Sequence, residues 1–190
     1  MIPLRNHISW SQLNAWERGE EHFYRVYILG ESFENKEMAF GKKIAEGLEG
    51  KIVCPEAEFC KVYLPDLPQK EHKIEIDFED IPILVKMDRF DKKKLIINEH
   101  KTGRNKWTQK KVDEHGQLTM YAMAVWKKYG KLPEISLFWI PTSLSDKGEV
   151  VLTGEIPYEF KTQRSIKDFA KMYKRLKDAW QGINKFYGKL

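Results

Sequence analysis

Three side chains in the middle of the chain, Asp88, Glu99 and Lys101, are of types that together can hydrolyse a phosphodiester. They fall on two segments, Ile81 to Phe90 and Leu95 to Lys101, separated by the polar stretch Asp91-Lys92-Lys93-Lys94. Apolar segments flanking a short polar stretch read as a β-hairpin. Residues two apart on a strand share a face, so Glu99 and Lys101 point one way and His100 the other. A register centred on the turn near Lys92 brings Asp88 close to that pair. Two close carboxylates are unfavourable unless a cation joins them. Mg²⁺ or Mn²⁺ suits the place, because such ions take oxygen ligands from one or two carboxylates plus water and phosphate. The backbone carbonyl of His100, between the two site residues, is placed to add a third oxygen. A metal there would polarise the phosphate and help make hydroxide from water. Lys101 would orient that water or neutralise charge developing on phosphorus. Spacing alone also fits an ordinary hairpin whose charges face water.

The rest of the chain sets the context. Its 190 residues suit one domain, residues 1–190, large enough to bury a real core. No apolar run approaches the ~20 residues that span a bilayer. The start, Met1-Ile2-Pro3-Leu4-Arg5-Asn6-His7, lacks the apolar core of a signal peptide. The expectation is a cytoplasmic protein with no membrane partner. Cys54 and Cys60 are the only cysteines, too few for an iron–sulfur cluster or an all-cysteine zinc site. They read as two packed thiols. The net charge of +5 is unevenly spread, with groups at Lys92-Lys93-Lys94, at Lys101 to Lys111 and at Lys167 to Lys177. Such groups fit a polyanion partner or a solvated lysine-rich face.

The elements that must position the three residues follow from periodicity. Apolar residues from Ile8 to Tyr27 recur mostly at three- and four-residue steps, predicting one helix capped by Ser9 or Ser11 and ended near Gly30. A second helix is expected over about Glu37 to Leu48. Phe59 to Leu64 and the alternating Lys73 to Phe78 read as strands ahead of the hairpin. A helix then carries Leu118 to Tyr129, stopped by Gly130 and Pro133. Ile135 to Ile140 and Val150 to Ile156 read as further strands. Ser165-Ile166-Lys167-Asp168 resembles a capping box, with Asp in place of Glu, leading a long last helix. The order predicts an α/β domain with a mixed or mainly antiparallel central sheet flanked by helices.

Five blocks in order carry a resemblance. They are Ile8-Ser9-Trp10-Ser11-Gln12-Leu13, Phe40-Gly41-Lys42-Lys43-Ile44, Asp88-Arg89-Phe90-Asp91, Asn98-Glu99-His100-Lys101-Thr102-Gly103 and Gln117-Leu118-Thr119-Met120-Tyr121. Together they resemble the S-x-S-x-L, G-x-x-x-H, D-R-x-D, (D/E)-x-K-T-G and Q-L-x-x-Y blocks of the PD-(D/E)XK nuclease superfamily, in its RecB-like exonuclease branch. The resemblance implies a restriction-endonuclease-like core and an Mg²⁺- or Mn²⁺-dependent DNA nuclease. It implies an exonuclease acting on DNA ends or single strands, working in repair, recombination or phage DNA processing, with repair or recombination proteins as possible partners. It makes Asp88, Glu99 and Lys101 the catalytic core, with Asp88, Glu99 and the His100 carbonyl on the metal. It places Gln117 and Tyr121, four apart on one helical face, beside that core. Ser9 and Ser11 come in as DNA contacts. After the hairpin, Arg104, Lys106 and Trp107 offer two cations and an indole for phosphate contact and base stacking; Trp107 fits a buried anchor as well.

The departures are local. Ala45 stands where the branch has its helix histidine. Glu46 and Glu49 follow, and Glu46 is the expected replacement ligand, although successive helical positions are rotated by about 100°. Val85 stands where a glycine often precedes the D-R-x-D block, and no cysteine precedes Cys54, so no iron–sulfur cluster is expected. The missing histidine and glycine leave a second expectation open: a DNA-binding module on a nuclease fold with weak or lost catalysis.

Overall fold

A computed structural model describes residues 6–189 of the chain. Two short helices, α1 (Trp10–Glu17) and α2 (Glu20–Tyr27), come first. Then come α3 (Lys36–Glu49) and α4 (Pro55–Tyr63), strands β1 (Gln69–Phe78), β2 (Ile81–Asp91) and β3 (Ile96–Gly103), and helices α5 (Gln109–Asp113) and α6 (Gly116–Tyr129). The chain ends with β4 (Glu134–Leu144), β5 (Val150–Leu152), β6 (Tyr158–Thr162) and α7 (Ile166–Tyr187). The six strands form one sheet in the order β1-β2-β3-β4-β5, with β6 also paired to β4. All pairs are antiparallel except β3 with β4, whose parallel pairing needs the crossover that α5 and α6 supply. This is the expected α/β domain with a mixed, mostly antiparallel sheet. Among the described residues no helix is long and apolar enough to cross a membrane.

Alternate residues of β4 divide the core. Ile135, Leu137 and Trp139 join the large cluster, which includes Leu13, Phe23, Leu118, Phe169 and Leu176 from α1, α2, α6 and α7. Phe138 and Ile140 join a smaller cluster with Phe40, Ile44, Ala57 and Cys60 from α3 and α4. The smaller face is closed by near contact rather than bulk. A Cβ on Gly47 would lie 2.4 Å from Ala57 Cβ and 2.8 Å from Cys54 Sγ, and one on Gly41 would lie 2.9 Å from Thr102 Oγ1. Glycine at 41, in the second of the five blocks, thus lets α3 close onto β3.

Three elements differ from the sequence expectation. The first helix is broken at Gly19, whose φ of 125° no right-handed helix can hold, so α1 and α2 are separate. Phe59 to Leu64 is not a strand but lies in and just after α4. Pro55 starts that helix, and Ala57, Cys60 and Leu64 bury one face at helical spacing. The expected strand over Val150 to Ile156 stops at Leu152; Gly154, at φ 84°, turns the chain into a separate strand, β6. The capping box on α7 forms as expected, with the Asp168 carboxylate accepting the Ser165 N–H at 2.8 Å. Both cysteines are buried free thiols.

Candidate active site

The D-R-x-D block does four different jobs. Asp91, 8% exposed, folds the β2–β3 turn by accepting the N–H groups of Lys93 at 2.9 Å and Lys94 at 3.1 Å. Phe90 is fully buried in the core. Arg89 turns to the other side and donates to the Leu48 carbonyl at 2.7 Å, holding down the last turn of α3. That leaves Asp88. The β2–β3 ladder runs over three pairs, from Asp91 with Ile96 to Arg89 with Asn98. The next pair in register would be Asp88 with Glu99. There the strands part, and Asp88 Oδ2 accepts the His100 N–H at 2.8 Å. β3 continues alongside β4. The fork opens where the carboxylates stand.

A cavity of about 590 Å³ fills the fork, lined by Asp88, Glu99, His100, Lys101, Gln117 and Tyr121 among others. Glu99 is 1% exposed; its Oε1 accepts from Lys101 Nζ at 2.6 Å, and its Oε2 is buried with no hydrogen-bond partner. Burial and the neighbouring Asp88 charge push the Glu99 carboxyl up to about 7, against the pull of Lys101. Burial pulls Lys101 down, but the Glu99 and Asp88 carboxylates outweigh it, and its ammonium is held above the usual lysine range. His100 turns its ring away, edge-on to Phe138 at 6.0 Å, and burial takes it down to about 4, so it is neutral.

α6 closes the other wall. Gln117 Nε2 donates to the Tyr121 hydroxyl at 2.6 Å, and that hydroxyl donates to the Lys86 carbonyl on β2, also at 2.6 Å. Tyr121 is 2% exposed, and burial and the two carboxylates hold its phenol well above the usual range. It stays protonated and ties α6 to the strand that carries Asp88.

α3 supplies the third wall with Ala45 and Glu49, one turn apart on one face, together with Gly41. Glu46 is absent from that wall: the rotation of about 100° per residue turns it off the face that Ala45 presents. Of the two glutamates that follow Ala45, the one on the cavity wall is Glu49, which pairs with Lys51 at 2.5 Å. Ser9 caps α1, accepting the Gln12 N–H at 3.4 Å, and lies 3.0 Å from the Ser11 hydroxyl. Both serines line a neighbouring hollow of about 430 Å³ that shares Lys86, Gln117 and Tyr121 with the active-site cavity. Arg104 pairs with Glu37, itself on the cavity wall, at 3.0 Å. Lys106 is exposed and lies 4.6 Å over the Tyr158 ring. Trp107 does not offer a face to a base. It is 8% exposed, edge-on to His115 at 5.1 Å and covered by Lys111 at 4.0 Å, so it anchors the loop.

Three charged cavity residues escape the sequence motifs: Glu71 of β1, Lys86 of β2 and Glu37 of α3. Lys86 sits two residues before Asp88 on the same strand, and that spacing is the one signal that could have found it. Among the described residues no three of His, Cys, Asp or Glu form a complete metal-ligand group. The residues present nonetheless fit a hard divalent cation. Such an ion needs only one or two carboxylates beside water and phosphate oxygens, and the bare Glu99 Oε2 beside Asp88 is an acceptor with no other partner.

A family model of the PD-(D/E)XK nuclease superfamily matches residues 36–187, and the chain belongs to that superfamily. Two solved structures share its fold. A Eubacterium rectale protein described as a candidate exonuclease aligns with a TM-score of 0.63 at 13% identity, over 97% of this chain and 83% of its own. A phage-related exonuclease from Haemophilus somnus 129PT aligns at 0.55 and 11% identity, over 94% of this chain and 82% of its own. Among curated proteins no relative matches the sequence.

Proposed function

We propose that this nuclease-superfamily protein is a metal-dependent deoxyribonuclease of the RecB-like branch, an exonuclease acting on DNA ends or single strands in repair, recombination or phage DNA processing. The observation that carries the reading is Glu99: a carboxylate buried to 1% exposure, with one oxygen on Lys101 and the other bare. Most buried polar groups are hydrogen-bonded; Glu99 Oε2, with the Tyr121 phenol beside it, lies at a cavity that Asp88 shares and has room for a further partner.

Asp88 and Glu99, with the His100 carbonyl and Glu49, would hold Mg²⁺ or Mn²⁺. The ion supplies Lewis acidity toward a phosphate oxygen and lowers the pKa of water. The chain's own groups do the rest. Lys101, kept charged by the two carboxylates, places a donor where negative charge grows on phosphorus. The His100 N–H fixes the rotamer of Asp88. Gln117 and Tyr121 hold α6 against β2, so that wall and strand move as one.

The test is release of label from single-stranded and blunt double-stranded DNA with Mg²⁺ or Mn²⁺. Wild type is expected to degrade DNA in a metal-dependent way. Asp88→Ala and Lys101→Ala should each lose on the order of 10²–10³ in rate, the usual cost of removing one charge-stabilising group. Equal rates for all three proteins would sink the reading.

A further inference from the structure

β1 carries an irregularity beside the active site. Its ladder with β2 pairs Lys70 with Arg89 and His72 with Met87, and leaves out the pair between them, Glu71 with Asp88. Glu71 has φ 46°, in the left-handed region that residues with a Cβ rarely occupy, least of all inside a strand. Its side chain lines the active-site cavity, and there the carboxylate meets Lys51 Nζ at 2.6 Å and Lys86 Nζ. An ionised carboxylate therefore bridges two exposed lysines at the rim of the cavity. A phosphodiester presents the same charge and the same kind of oxygen acceptor.

A second observation comes from the same pair of strands. Lys86 stands directly opposite Lys73 in the ladder. Like charges facing each other across two strands are unfavourable. Lys73 is exposed and has no carboxylate partner among the described residues. Lys73 and Lys86 both line the hollow that holds Ser9 and Ser11, and Lys86 lines the active-site cavity as well. The cations thus run from the cavity toward the start of α1, and the outermost, Lys73, is left without a neutralising partner among the described residues.

We propose that Lys51, Lys86 and Lys73 form a phosphate track leading one nucleic-acid strand into the cavity, and that Glu71 occupies its inner end until the strand displaces it. The identity of the polyanion rests on the nuclease reading above. The left-handed turn at Glu71 then has a purpose: it aims a carboxylate at the lysines that a phosphate will need. A track partly neutralised from within binds less tightly than its lysines alone would allow, and releases fewer counterions.

The experiment is anisotropy of a fluorescein-labelled oligothymidylate with the full chain, in EDTA, over a series of NaCl concentrations. Lys73→Gln and Lys86→Gln should each weaken binding several-fold and lower the slope of log K against log salt by about 0.7, the value for one phosphate contact on a single strand. Glu71→Gln should do the opposite, tightening binding several-fold and steepening the slope. Lys131→Gln, beyond the far end of α6, removes the same charge and should leave the slope unchanged. Equal slopes in wild type and both lysine variants would overturn the track, as would absence of binding by wild type. Unchanged or weaker binding by Glu71→Gln would overturn the role of Glu71. Lys73 is exposed, so its variant serves even if Lys86→Gln fails to fold. Cleavage plays no part in this readout: an Asp88→Ala protein that still cuts DNA sinks the active-site assignment and leaves the track standing.

Discussion

Arg164 and Glu99 are both charged and both buried, at 5% and 1% exposure, yet they sit in opposite kinds of surroundings. Arg164 precedes α7 and donates to Thr119 Oγ1 at 2.8 Å, Thr162 Oγ1 at 2.5 Å, and the carbonyls of Gln163 and Val112 at 2.9 Å and of His115 at 3.3 Å. That one guanidinium knits together α5, α6 and β6. Glu99 has Lys101 and an unfilled oxygen. The first charge is spent on the fold. The second is held in reserve, and its cost shows in a carboxyl raised to about 7.

The largest effect that would break this contrast is on stability. Arg164→Met should destabilise the protein by about 3 kcal/mol or more, since three buried hydrogen bonds, to Thr119 Oγ1, Thr162 Oγ1 and the Val112 carbonyl, are lost at roughly 1–3 kcal/mol each. Urea unfolding at pH 7.5 measures it, and a loss under about 1 kcal/mol would mean the knot does not bear the fold.

Glu99→Gln should do the reverse. In the metal-free protein the raised pKa means that ionised Glu99 opposes folding. The folded chain keeps its proton down from about pH 7 while the unfolded chain loses it near 4.5. Stability from this group is therefore present below about 4.5 and lost as pH rises through about 7. The Gln variant should be more stable above pH 7, by no more than about 3 kcal/mol at 1.36 kcal/mol per unit, and less because Lys101 loses its partner. The gain should vanish toward pH 4.5, and a gain that persists there contradicts the assignment.

Two histidines tilt the protein the other way. His100 and His115 are both lowered to about 4, in each case chiefly by burial. Between pH 6.5 and 4 the unfolded chain takes up these protons and the folded chain does not, so stability falls as pH falls through that window. Over the shared range two histidines outweigh one glutamate, and the melting temperature should drop between pH 7 and 5. His115→Gln should flatten the drop and Glu99→Gln should steepen it.

The smallest effect sharpens the contrast from the ligand side. At ten times its dissociation constant, Mn²⁺ should stabilise wild type by about 1.4 kcal/mol. Chelation should reverse the shift. A similar shift in Glu99→Gln would place the ion elsewhere.

Much of this was legible in the sequence, for reasons that differ by residue. Asp88, Glu99 and Lys101 could be brought together because strand alternation and one short turn fix their relation, and Gln117 and Tyr121 because a helical turn does. Glu46 was preferred to Glu49 from the sequence, and it is Glu49 that faces the cavity, since the choice depends on the phase of α3 against β3, a tertiary contact that Gly41 sets. Phe59 to Leu64 carries strand-like residue types, and only the packing of α4 on α3 settles it as helix. Glu71 was beyond reach: no pattern announces a glutamate with left-handed backbone in mid-strand. Trp107 shows the converse limit, because an indole beside cations looks the same in sequence whether it is bare or covered.

Gly41 has no side chain to offer any substrate, yet its Cα hydrogens set the gap between α3 and Thr102. Even alanine there would press on the Thr102 hydroxyl, so that either this side chain turns aside or the helix that carries Glu49 shifts. A genetic screen for inactive variants should therefore return position 41 alongside the charged residues. Any attempt to widen the cleft for a modified substrate would meet its hardest limit at an atom that is not there.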